Sequence, residues 1–99
     1  MNVGEILKDP DAEIGISVDW TQYIGSDTVV GSPTWSLANG LTAASTTFSS
    51  NISTVRVSGG QEGCDYLATC RATLASGVIE EATILVRVRT GAKDPRLAQ

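Results

Sequence analysis

Ile14-Gly15-Ile16-Ser17-Val18-Asp19-Trp20 sets an apolar side chain at every second position. That is the period of an extended chain with one face on a core and the other in water. The same period returns downstream. Val55 and Val57 oppose Thr54, Arg56 and Ser58 within Ile52 to Ser58. Tyr66, Ala68, Cys70, Ala72 and Leu74 oppose Leu67, Thr69, Arg71 and Thr73, the best candidate for a central strand. From Ile79 to Arg89, Ala82, Ile84, Val86 and Val88 oppose Thr83, Leu85, Arg87 and Arg89.

Two less regular stretches lie between. Thr28-Val29-Val30 and Thr34-Trp35-Ser36-Leu37 are interrupted at Gly31-Ser32-Pro33, where a proline removes a ladder donor and predicts an edge, a bulge or a break. Leu41 to Ser50 is rich in Ser, Thr and Ala and gives the weakest strand signal. Asn39-Gly40, Gly59 to Gly63 and Ser76-Gly77 supply reversals. No helix is expected. Short strands at this spacing predict an all-β fold, an immunoglobulin-like antiparallel β-sandwich of six to seven strands. Tyr66, just after a glycine-containing turn, fits either a tyrosine corner or an ordinary half-buried aromatic. Trp20 and Trp35 read as core or seam residues.

The 99 residues, 41% hydrophobic and 18% charged, suit one globular domain with a single core. No apolar run approaches the roughly 20 residues of a membrane helix. The start, Met1 to Lys8, lacks the basic and apolar regions of a secretory signal, so synthesis in the cytoplasm is expected. A net charge of −4 argues against general affinity for nucleic acid. The charge is also graded along the chain. Glu5, Asp9, Asp11, Glu13, Asp19 and Asp27 face Lys8 alone at the start, whereas Arg87, Arg89, Lys93 and Arg96 face Asp94 at the end. Opposite charge at the two ends would let one copy's start meet a neighbour's end, the contact from which rings are built. An unevenly charged solvated surface is the plainer reading.

Reactive groups are sparse. With no histidine there is no imidazole base and no Ser-His-Asp arrangement. Cys64 and Cys70, on one extended segment, would stand about 20 Å apart and are expected as free thiols, Cys70 in the core. Two cysteines do not complete a zinc set, and the glycines form no phosphate-binding pattern. Asp9-Pro10-Asp11-Ala12-Glu13 sets carboxylates at alternate positions, but without the turning glycine of a calcium loop it reads as an acidic lead-in to a strand. No enzyme activity, metal or cofactor is expected.

Several of these segments, in order, carry a resemblance. Lys8-Asp9-Pro10-Asp11-Ala12, Val18-Asp19-Trp20, Val55-Arg56-Val57-Ser58-Gly59-Gly60, the Tyr66 to Arg71 strand and Val86-Arg87-Val88-Arg89 resemble the fibre-tail adaptor proteins of tailed bacteriophages, over about Lys8 to Arg89. The resemblance implies a non-enzymatic virion structural protein, made in the host bacterial cytoplasm. It would join portal, neck or tail to fibres by protein–protein contacts, as a homo-oligomer in the particle, without nucleic acid or membrane. The alternatives are a capsid decoration protein or a module binding glycan or host surface through its loops. The expected organisation is an N-terminal contact arm over 1–12, the sandwich over 13–89 and a C-terminal tail over 90–99. Partner-contact candidates are Ile6, Leu7, Lys8, Asp9, Asp11, Glu13, Arg87, Arg89, Lys93 and Arg96.

Overall fold

A computed structural model describes residues 2–91. Seven strands and one short helix follow in the order β1 (Asn2–Lys8), β2 (Ile14–Asp19), α1 (Thr21–Ile24), β3 (Val29–Leu37), β4 (Leu41–Ser49), β5 (Ile52–Gly59), β6 (Asp65–Leu74) and β7 (Ile79–Val88). One sheet has the order β1-β7-β6-β3 and the other β2-β5-β4. Those orders are the two layers of an immunoglobulin-like sandwich, one sheet closing on the last strand and the other built from the second, fourth and fifth.

The alternation read from the sequence is the alternation of burial. In β2 every odd position of the strand is buried and every even one exposed, and Ala68, Cys70, Ala72 and Leu74 of β6 face Ile16, Val18, Val55 and Val57 across one core. β6 lies between β7 and β3, a central strand as expected. In β3 the register with β6 shifts between Val30 and Thr34. The Gly31-Ser32-Pro33 interruption is therefore a bulge on an edge strand, where a missing N–H costs no ladder bond.

A small polar cluster joins the sheets inside this apolar core. Trp20, fully buried after β2, donates its indole N–H to Ser53 Oγ on β5 at 3.1 Å. Cys70 on β6 points at the same group; burial pushes its thiol pKa up, and hydrogen bonds with Ser53 and Trp20 draw it partly back. Both cysteines are free thiols.

Two features depart from the sequence reading, and a third meets its weakest expectation in full. Residues 2–12 do not form an arm, because Asn2–Lys8 is a strand that pairs in parallel with β7. The sandwich thus begins at residue 2, and one pairing of an otherwise antiparallel structure is parallel. Ile6 then faces inward beside Val86 and is 3% exposed. Second, Thr21–Ile24 forms one helical turn, held by Tyr23 and Ile24 N–H bonds to the Trp20 carbonyl. Third, β4 is a full strand although Thr42 to Thr47 are all exposed. Its hairpin to β5 turns through Ser50 and Asn51 at φ of 51° and 64°, the left-handed pair that suits a two-residue turn between twisted strands.

Candidate interaction surface

The segment Lys8-Asp9-Pro10-Asp11 crosses from one sheet to the other, with the side chains of Lys8 and Asp9 tied to backbone atoms. Lys8 is 1% exposed. Its ammonium donates to the Gly59 carbonyl at 2.6 Å and the Asp9 carbonyl at 3.0 Å. Burial lowers its pKa, with the Asp9 and Asp11 carboxylates acting the other way. Asp9 Oδ1 accepts from Asp11 N at 2.9 Å and Oδ2 from Gly91 N at 2.6 Å. These backbone donors, first that of Asp11, hold the Asp9 carboxyl below its ordinary pKa. The Lys8 carbonyl in turn accepts from Arg89 N. Lys8 and Asp9 are thus fasteners between the first turn, the Gly59–Cys64 loop and the exit of β7. As a core residue and a buried cation, Ile6 and Lys8 are withdrawn from the partner-contact set.

Tyr66 completes this pole as a tyrosine corner. Its hydroxyl accepts from Gln61 N at 2.8 Å, the backbone a few residues upstream of the strand. The ring lies so close to Gly40 that a Cβ there would sit 2.7 Å from Tyr66 Cε1. Thr90 closes the same end through bonds of its N–H and hydroxyl to Glu62 Oε1.

The acidic start and basic end of the chain meet within one molecule. Parallel pairing sets Glu5 against Leu85 and Leu7 against Arg87, and Arg87 reaches Glu5 at 3.5 Å and Asp65 at 3.8 Å. Arg89 reaches Asp65 at 3.1 Å. The expected contact between one copy's start and a neighbour's end is therefore met internally at Glu5 and Arg87. Glu13, just before β2, pairs with Arg56 of the other sheet at 2.8 Å. Asp11 is exposed in the first turn. Lys93 and Arg96 lie outside the described residues.

The outer face of the four-stranded sheet gathers Leu7, Arg87 and Arg89 with residues outside the contact candidates: Glu5, Asp65, Leu67 and Leu85. Leu67 is 51% exposed, and Leu85 stands directly opposite it. A leucine on the water side of each of two strong alternating strands is the signal that pointed there, but their being neighbours depends on register.

Fold and surface define a small immunoglobulin-like sandwich module, its loops tied down at one pole and one broad sheet face left open. The chain belongs to the Gp77 family: the family model described as Podophage GP4 fiber-tail adaptor protein gp77 matches residues 8–87. That makes it a member of a family of phage structural adaptors. The match runs from the buried Lys8 to Arg87 and so takes in the fastened turn, the corner loop and β2 to β6. Among solved structures, the solution structure of the PKD domain from KIAA 1837 protein is similar, with 15% identity and a TM-score of 0.47, over 91% of this chain and 84% of that one. No curated protein matches the chain in sequence.

Proposed function

We propose that this protein holds a fibre to the tail or neck of a podophage particle by surface contact, with no reaction catalysed. The observation that carries this reading is the family match over 8–87. Its partners are other virion proteins. It is made in the host bacterial cytoplasm and then built into the virion. The pole formed by Asp9–Glu13, the Gly59–Cys64 loop and the Thr90–Gly91 exit is the attachment end. Asp11 and Arg89 remain within reach of a partner there. Residues 92–99, with Lys93 and Arg96, continue from that exit and supply a contact arm whose basic charge suits an acidic surface.

The test is complementation of a phage lacking this gene with either the full chain or a chain ending at Gly91. Purified particles are assayed for the protein by peptide mass spectrometry and for fibres by electron microscopy. The full chain restores fibred particles, and the shortened chain folds but is not incorporated. Normal incorporation of the shortened chain would remove the tail as the arm. Fibred particles in the absence of any complementing chain would refute the adaptor reading itself.

A further inference from the structure

The outer face of β6 and β7 carries an arrangement that neither the fastened pole nor the family reading uses. Register places five outward residue pairs in successive rows: Arg87 beside Asp65, Leu85 beside Leu67, Thr83 beside Thr69, Glu81 beside Arg71, and Ile79 beside Thr73. The pairs are real contacts. Arg87 and Asp65 approach to 3.8 Å, Arg71 and Glu81 to 3.7 Å, and the Thr69 and Thr83 hydroxyls bond at 3.1 Å. The signs alternate diagonally. On β7 the base is at the Arg87 end and the acid at Glu81; on β6 the acid is at Asp65 and the base at Arg71. Leu67 and Ile79 stand 51% and 49% exposed.

We infer that this face is the interface of a two-fold dimer of this chain, with the axis running along the strands between β6 and β7. That operation lays β7 of one copy over β6 of the other, row on row. Arg87 then meets the partner's Asp65, and Arg71 meets the partner's Glu81, each closing a square of alternating charge. Leu85 lies on the partner's Leu67 and Thr83 on the partner's Thr69. Because a two-fold interface uses the same patch twice, it must be self-complementary, and each row meets that condition. A two-fold across the strands also satisfies the charges, Arg87 over the partner's Glu81, but it sets leucine on threonine. Only the along-strand axis stacks the leucines and matches the charges at once. Sheets packed with near-aligned strands are an ordinary arrangement.

The size is sufficient. Four strands at ~4.8 Å and four steps between alternate rows at ~6.8 Å give a face of roughly 19 by 27 Å, about 500 Å² per partner, which meets the ~1,000 Å² total a specific interface needs and lies below the ~800 Å² per partner of a standard one. Leu7 and Glu5 on β1 extend the patch beyond β7. The inference goes beyond the attachment pole and is independent of it, since it is read on purified protein with no other virion component.

Sedimentation equilibrium of the full chain tests it, with circular dichroism confirming the fold of each variant. Wild type dimerises in the micromolar range. Leu67→Asp, at an exposed position, leaves a folded monomer. Arg71→Glu sets a carboxylate over the partner's Glu81 and weakens the dimer roughly tenfold or more, like charges in an interface being strongly unfavourable. The double variant Arg71→Glu with Glu81→Arg restores association, because exchanging the two signs leaves that square alternating and keeps the Arg89–Asp65 and Arg87–Glu5 pairs. With the axis across the strands the same double variant would face Asp65 and Arg87 with like charge and would not recover. A wild type monomeric into the hundreds of micromolar, a dimer indifferent to Leu67→Asp, or a double variant no better than the single one each overturns the proposal.

Discussion

Removing one hydroxyl from the core, by Ser53→Ala, tests whether the polar cluster between the sheets holds them in place. Ser53 is 1% exposed and is the hydrogen-bond acceptor described for the Trp20 indole at 3.1 Å. Alanine keeps the backbone and nearly the volume, so cavity formation is a small part of the cost. What remains is an indole N–H, fully buried, without a partner, together with the loss of the Cys70 thiol's hydrogen bond. An unsatisfied buried donor costs about 1–3 kcal/mol, and about 2 kcal/mol would lower the Tm of a domain this size by roughly 8–16 °C. Urea unfolding followed by tryptophan fluorescence measures the change directly. Trp20→Phe in the same background supplies the control. It removes the donor, so Ser53→Ala should cost much less when Trp20 is already phenylalanine, with a coupling energy of about 1–2 kcal/mol. A Ser53→Ala variant within about 0.5 kcal/mol of wild type, or strict additivity of the two changes, would refute the role assigned to this contact.

Other outcomes follow from the fastened pole and the loops. Lys8→Met leaves the Gly59 and Asp9 carbonyls without their ammonium donor and is expected to destabilise by about 1–3 kcal/mol in urea titration; a neutral result would show that burying the charge cancels its bonds. Tyr66→Phe removes only the hydroxyl of the corner and should cost about 0.5–1.5 kcal/mol, measured in the same way. Asp27 is held below its ordinary carboxylate pKa of 3.8, first by the Ser76 hydroxyl and then by the Thr28 N–H. A depressed folded pKa contributes stability above the unfolded value that is lost as pH falls through the folded one. Asp27→Asn should therefore flatten the loss of stability below about pH 3.8, seen in acid titrations by circular dichroism. A thiol reagent should modify Cys64 in the native protein and reach Cys70 only on unfolding, since Cys70 is fully buried.

Strands with one face on the core were legible because burial imposes period two on them; β2, β5, β6 and β7 were visible for that reason. β1 was hidden by its own chemistry. Its buried positions are Ile6 and Lys8, so no apolar face shows in the sequence, and its partner lies at the far end of the chain. β4 was faint for the opposite reason. From Thr42 to Thr47 both faces meet water, so nothing selects apolar side chains. The four-residue helix has Trp20 at its N-cap, a side chain that makes no cap bond, and its first N–H is taken instead by Asp19 Oδ1 at 3.0 Å. The charge gradient was legible, but its pairing within one molecule was not, because only the parallel β1–β7 ladder reveals that Glu5 sits beside Arg87. The outer leucines and their flanking charges could be assigned to a face from the sequence. Their row-by-row matching could not, since register between β6 and β7 is a property of the folded hairpin.

The parallel ladder between the first and last strands has a mechanical consequence. Chain enters β1 at the end nearest Thr83 and leaves β7 at the opposite end, where Lys8 lies beside Val88. Tension drawn between Gly4 and Arg89 therefore slides the two strands along each other, and the evenly spaced bonds of a parallel ladder share the strain together. Peeling from one end would break them one at a time. Resistance to force is set by the unfolding rate and not by equilibrium stability. A molecule held by a neighbour at each terminus is thus gripped in shear, the direction in which a pair of strands yields last.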